Sequence, residues 1–528
     1  GEVAVAWGLG GAPEVLVDTE PLLWADGRSG STAGHVFGPL VASQVRPIES
    51  LSLGSVAVPL AVNQYTGALP QWPARLLFVL TGSVAAVQWL HLALGALILV
   101  LVHRILCDRG CRTAAAVAVL VLATDWSFVF YRRILGGTEL ALQAGILLAL
   151  WGAWCSLEGD RRGWALLWVG VGLGISAKVT FLLSAVALGL AYGWECRNTH
   201  RVSPEAAGPR PRWPQALALV LCLPQVVTWV HHAWAVPTAP HVVSHDFPQV
   251  QVQRLVQQLS GGSAPVRESL DNVIYWAMDP VSFLGPVYGA QVESAVVLRG
   301  LAWAVLALAL VGMWARGPSH EKPDLPVRFI LRFLVLQVAL VWLVARDLHH
   351  LAQATPALAI LVGLVAGQWV HSVRSSRGWG VLGVMLVPWV ISGVHHLART
   401  DAVLSSIEVP TFASSSQHRL VSWLRSHGVK QLVACDYELY GLLELLAPEI
   451  RVRHGWGAAS WKRGEALAGL VSVAEGGHFI ELRSSAPMIY NLAPGENSLM
   501  QAAGSLGLEV TVVDRLDEVA TLYRVSRE

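Results

Sequence analysis

Ser83-Val-Ala-Ala-Val-Gln-Trp-Leu-His-Leu-Ala-Leu-Gly-Ala-Leu-Ile-Leu-Val-Leu-Val102 lies within an apolar span at 74–103 and carries no Asp, Glu, Lys or Arg. About 20 such residues wound as a helix cross the ~30 Å hydrocarbon core of a bilayer. Working outward, further apolar spans fall at 113–130, 138–157, 163–179, 180–196, 213–234, 293–315, 327–345, 349–371 and 378–397. The reading is a polytopic α-helical membrane protein of about ten or eleven spans. Lys178 either marks a turn between two short spans or sits inside one long helix. The composition agrees: 54% of the 528 residues are hydrophobic and 14% charged, with a mean hydropathy of +0.51. Soluble proteins carry about a quarter charged residues. The 23 tryptophans suit a membrane–water interface, and a net charge of +1 gives no sign of a nucleic-acid partner.

Sidedness follows from the Lys/Arg bias of short loops. One set carries Arg104, Arg109 and Arg112; Arg161 and Arg162; Arg197, Arg201, Arg210 and Arg212; Arg316, Lys322 and Arg328; Arg374 and Arg377. That set is expected to be cytoplasmic. The loops 18–72, 131–137, 235–292 and 346–350 are poorer in Lys/Arg for their length and are expected outside, with the tail beyond 400. Residues 1–17, broken by Glu2, Pro13 and Glu14, read as neither a spanning helix nor a secretory signal, so either the N-terminus was trimmed or a first membrane helix is missing.

Three regions result. Residues 1–72 are an N-terminal segment and first external loop with interfacial helices. Residues 73–398 are the multi-span domain, with its external loop at 235–292. Residues 399–528 are a small extracytoplasmic α/β domain. There, helical patterns at 417–427, 437–447, 464–474 and 497–507 alternate with β-rich runs at 431–435, 450–453, 479–482, 510–513 and 520–525. No Gly-rich phosphate loop opens any of these helices. Cys107, Cys111, Cys155 and Cys196 fall at cytoplasmic ends, Cys222 within a span and Cys435 alone in the outer domain, leaving no pair for an external disulfide. Cys107 and Cys111 have metal-site spacing but no second Cys/His pair nearby.

The unusual polar residues gather on the expected outer side. They are Asp18 and Glu20, Arg132 and Arg133, Lys178, and the run Arg346-Asp347-Leu-His349-His350. Charges at membrane depth usually face a cavity or a partner. An acidic residue opposite several cations suits a lipid phosphate: the cations bind its oxygens and the carboxylate deprotonates an incoming nucleophile. Each residue also has a plainer reading. Asp18 could cap a helix beginning near Pro21, with Glu20 favourable to its dipole. Arg132, Arg133 and Lys178 could snorkel. Arg346 and Asp347 could pair with each other. His231-His232, His349-His350 and His395-His396 at outer span ends, with His241, His245 and Asp246, have zinc-ligand chemistry. Adjacent residues on a helix point apart, however, so a divalent metal stays an open alternative without support; the reading itself requires no cofactor.

Four stretches carry a family resemblance. They are Asp18-Thr-Glu20; Val58-Pro-Leu-Ala-Val-Asn-Gln-Tyr65-Thr-Gly67-Ala-Leu-Pro70-Gln-Trp72; Ala123-Thr-Asp-Trp-Ser-Phe-Val-Phe-Tyr-Arg132-Arg133; and His349-His350-Leu before a Pro-containing helix. With these the chain resembles the GT-C superfamily of membrane glycosyltransferases, and most of all the bacterial members of glycosyltransferase family 39, the protein O-mannosyltransferase and lipid A aminoarabinose transferase group. The resemblance implies transfer of a sugar from a polyprenyl-phosphate donor to a lipid, glycan or protein acceptor on the outer face of an inner membrane, with inversion. It implies Asp18 as general base. Thr19 stands where the family often has adjacent Asp-Glu, so Glu20 shares or takes that role. It implies that Arg132, Arg133, Lys178, Arg346, His349 and Tyr65 contact donor phosphate or substrate. Two other functions compete: a transporter or lipid flippase, and a non-catalytic scaffold. No internal repeat is evident and the charges lie at one face, which speaks against transport. A scaffold leaves the Asp18 and Arg132 arrangement without a purpose.

Overall fold

The computed structural model describes residues 50–53, 56–59, 69–81, 84–133, 137–199, 211–235, 277, 296–315, 325–344, 351, 353–373, 376–406, 417–434, 447, 449–454, 471, 476–482, 496–516 and 520–527. The first described elements are β1 (Ser50–Leu53) and β2 (Val56–Pro59), paired antiparallel with Leu53 opposite Val56. These residues belong to the segment 1–72, most of which lies outside the described residues; the alternation Ser-Leu-Ser-Leu followed by Val-Ala-Val has a strand's period of two and forms this hairpin.

The helical region follows as α1 (Trp72–Thr81), α2 (Val84–Cys107), α3 (Arg112–Thr124), α4 (Trp126–Arg133), α5 (Gly137–Leu157), α6 (Arg161–Ala177), α7 (Phe181–Thr199), α8 (Trp213–Ala235), α9 (Val296–Ala315), α10 (Leu325–Val344), α11 (Thr355–Val373) and α12 (Ser376–Ser406). Among the described residues, three stretches are long and apolar enough to cross a membrane: Trp89–Cys107, Glu139–Leu157 and Val296–Met313. Shorter apolar helices include Arg112–Thr124, Trp213–Val227 and Thr355–His371. The outer surface is apolar too. Leu182, Val186, Leu190 and Trp194 form an exposed stripe at four-residue intervals on α7, and Val297 and Leu308 on α9 are 84% and 70% exposed. Such a surface belongs against lipid.

Helix boundaries differ from the apolar runs where polar chemistry intervenes. The span expected at 113–130 ends at Asp125, whose carboxylate starts a new helix, α4. The stretch 163–196 is two helices, with Lys178 extended between them (φ −158°, ψ 135°). The turns after α2 and α5 share one device. Gly110 and Gly159 take φ of 73° and 90°. The next residues, Cys111 and Asp160, donate their N–H groups back to Leu106 and Cys155 carbonyls. From α5 to α12 the chain runs up and down, so two ends of the bundle can be told apart. The arginine-rich end holds the α2–α3 and α5–α6 turns; the opposite end holds Asp125, the start of α5 and Lys178.

Backbone contact ties the bundle together. Gly145 and Gly152 of α5 face Gly163, Leu167, Gly170 and Gly174 of α6, so that a Cβ on Gly145 would lie 2.9 Å from the Gly170 carbonyl oxygen. Gly172 meets Ala218 of α8, and Gly363 of α11 meets Ala114 and Ala118 of α3. Small residues permit this approach where no water is present to drive association.

Beyond the bundle come α13 (Gln417–Ser426), β3 (Gln431–Ala434), β4 (Arg451–His454), β5 (His478–Leu482), α14 (Glu496–Gly504), β6 (Leu508–Leu516) and β7 (Ala520–Arg527). The strands form one sheet in the order β4-β3-β5-β7-β6, in which β3 runs parallel to β4 and β5 and the β5–β7 and β7–β6 pairs are antiparallel. Val433, Phe479, Val510, Tyr523 and Val525 pack with Leu499 and Ala503 of α14 into its core.

Candidate functional site

At the end of the bundle opposite the arginine-rich turns, buried charges meet in two places. The first pairs α5 with the α6–α7 joint. Lys178 Nζ donates to Glu139 Oε1 at 3.3 Å, the side chains being 8% and 4% exposed. Gly174 makes room for the Phe181 ring where any Cβ would collide, and the extended backbone at Lys178 leaves the helix line there. Glu139, the third residue of α5, completes the pair.

The second cluster centres on Asp125. Its Oδ1 accepts the Ser127 and Phe128 N–H groups at 3.0 and 3.2 Å and the Ser127 hydroxyl at 2.6 Å. This is an N-cap for α4. Its Oδ2 accepts Arg299 Nη2 from α9 at 3.1 Å, both side chains buried. The guanidinium lies 4.3 Å from the centre of the Trp389 ring of α12, a favourable cation–π geometry. Arg299 Nε donates at 3.3 Å to the Ala277 carbonyl, which also receives Trp303 Nε1 at 2.8 Å. The Ser127 and Thr355 hydroxyls lie 3.1 Å apart, bringing in the start of α11. His396 of α12 is fully buried nearby.

The Gln353 amide before α11 and the Gln337 amide inside α10 are buried, and neither finds a hydrogen-bond partner among the described residues. Orphaned buried amides mark places that water or a polar ligand completes.

Of the residues named for the donor and substrate site, Lys178 is described with its side chain, and it meets Glu139. Arg132 and Arg133 end α4; their side chains, together with Asp18, Glu20, Tyr65, Arg346 and His349, lie outside the description. Glu139, Asp125 and Arg299 were not picked out from the sequence. Their signal was present in it: each is an ionisable side chain inside or beside an apolar run. Among the described residues no three His, Cys, Asp or Glu side chains gather as metal ligands.

No protein-family model matches the chain, and no curated protein matches it in sequence. In three dimensions it is similar to ArnT from Cupriavidus metallidurans, whose crystal structure was solved bound to undecaprenyl phosphate. The superposition has a TM-score of 0.53 at 12% sequence identity and covers 99% of this chain and 96% of that one. With so little identity over nearly the whole of both chains, what the two share is the fold.

Proposed function

We propose that this protein is an integral membrane glycosyltransferase of the GT-C type, moving a sugar from a polyprenyl-phosphate donor to an acceptor on the extracytoplasmic side. The observation that carries the reading is the likeness to ArnT over 99% of the chain, since that protein was solved with undecaprenyl phosphate bound. The buried charges gathered at the end opposite the arginine-rich turns support it, because that end is the outer one if the arginine-rich loops face the cytoplasm.

In this reading an acceptor hydroxyl or amine attacks the anomeric carbon. Its proton passes to a carboxylate, Asp18 or Glu20, while the bond from carbon to the phosphate oxygen breaks and the polyprenyl phosphate leaves. Attack opposite the leaving group inverts the centre. Arg132 and Arg133 at the end of α4, with Arg346, His349 and Tyr65, hold the phosphate and substrate. Lys178 holds the phosphate less strongly than a solitary cation would, because Glu139 already offsets its charge. Positive charge at the leaving phosphate lowers the barrier because negative charge develops there.

The test is undecaprenyl phosphate binding by the purified protein, followed by native mass spectrometry with an ordinary phospholipid as competitor. Selective binding that weakens about tenfold or more in Arg132→Ala is expected, a loss of ~1.4 kcal/mol or more. Asp18→Asn should retain the lipid but lose transfer. Absence of selectivity in folded protein would overturn the reading.

A further inference from the structure

The Asp125 carboxylate serves two elements at once. One oxygen begins α4, the helix that ends in Arg132 and Arg133. The other holds Arg299, whose Nε grips the Ala277 carbonyl. Ala277 belongs to the stretch Tyr275-Trp-Ala-Met-Asp279-Pro280 of the long loop at 235–292. The grip is over-determined. Trp303, one turn further along α9, donates to the same carbonyl, and its ring packs edge-on to Trp389 at 5.3 Å, the residue that stacks on Arg299. A buried ion pair is rarely the most stable filling for such a site, and uncharged side chains of like shape often serve as well. In some proteins such a pair serves to fix geometry.

We infer that Asp125 and Arg299 are positioning residues that couple α4, on the donor side, to the segment at Ala277. This rests on the glycosyltransferase reading for what α4 holds, but the coupling itself is a property of the fold. Because the two roles use the two oxygens of one carboxylate, α4 cannot shift relative to Arg299 without breaking one set of hydrogen bonds.

The test uses the full chain in detergent and two variants. Arg299→Lys keeps the charge opposite Asp125 but loses the Nε donor and the flat face on Trp389. Asp125→Asn keeps an N-cap side chain but loses the ion pair. Amide hydrogen exchange should rise in both variants at two separate places, the first turns of α4 and the peptide containing Ala277; Arg299→Lys, which keeps the pair's charges, should melt closer to wild type than Asp125→Asn, which leaves the buried guanidinium without this carboxylate. Undecaprenyl phosphate binding should weaken about tenfold. Exchange that rises at one place alone, or at neither, overturns the coupling. If wild type fails to bind undecaprenyl phosphate, the glycosyltransferase reading falls, while the paired rise in exchange still decides the coupling. If wild type binds and both folded variants bind equally well, the positioning role falls even where exchange responds. Should a single variant unfold, the neutral pair Asp125→Asn with Arg299→Gln removes the orphaned charge and is judged by the same exchange readout.

Discussion

Lys178 and Glu139 show what a single charge means inside an apolar bundle. Each is acceptable there because the other is 3.3 Å away. Glu139→Gln removes this carboxylate from beside a buried ammonium group, and breaking a buried pair costs up to about 3–5 kcal/mol. The expected outcome is a clear fall in melting temperature in detergent. Adding Lys178→Met to Glu139→Gln should recover much of it, and recovery of nothing would show that the pair does not hold α5 to the α6–α7 joint. This pair was half legible. Lys178 stood out because it interrupts apolar sequence. Its partner did not, because 39 residues separate the two and nothing local says which helices are neighbours. Asp125 and Arg299, 174 residues apart, were hidden for the same reason.

Elements were more legible than pairs. A continuous apolar run of about 20 residues in lipid reads as a helix, since a helix satisfies every backbone group within the one segment, whereas the strands of a closed β-barrel are about half as long. The positions of α5, α8 and α9 therefore follow closely from composition. What composition does not tell is where a helix stops for a polar reason, as at Asp125 and Lys178, or which face meets which neighbour in a helix that is hydrophobic all round. Glycines supply that missing information only after packing is known. Gly152 lies against the backbone of Leu167, whereas Gly189 has nothing within 4 Å of where its Cβ would be. Gly152→Ala should therefore destabilise the protein by about 1–3 kcal/mol through overpacking. Gly189→Ala should be neutral or stabilising by up to ~1 kcal/mol, as the helix propensities of Gly and Ala imply. Thermal unfolding of the two in the same detergent checks the contrast; equal losses would mean that α5 and α6 are not in backbone contact.

At the scale of the whole molecule, the sheet region has a pH response of its own, apart from the membrane helices. Burial, then Arg524 and then His427 hold His478 below its ordinary value of 6.5. In the unfolded chain His478 binds its proton first as pH falls. Its contribution to stability is complete above about 6.5 and is lost as the pH drops from there through the folded value. Asp514, held low by hydrogen bonds led by that from Trp423, and Glu449, held low by the Arg425 hydrogen bond, lose their contributions only at more acid pH, below 3.8 and 4.5 respectively. The protection factors of the β5 amides in the full chain, corrected for the intrinsic pH dependence of exchange, should therefore fall between about pH 7.5 and 5.5. His478→Gln should flatten that change; an unaltered response would place the sensitive group elsewhere. The touching backbones of α5 and α6 bear on how the chain is built. Joined by three residues and pressed together along their length, they leave no room for a lipid tail between them. Such a hairpin needs no later helix to close it, so the two can enter the bilayer together and offer α8, which packs on α6 through Gly172 and Ala218, a surface already formed.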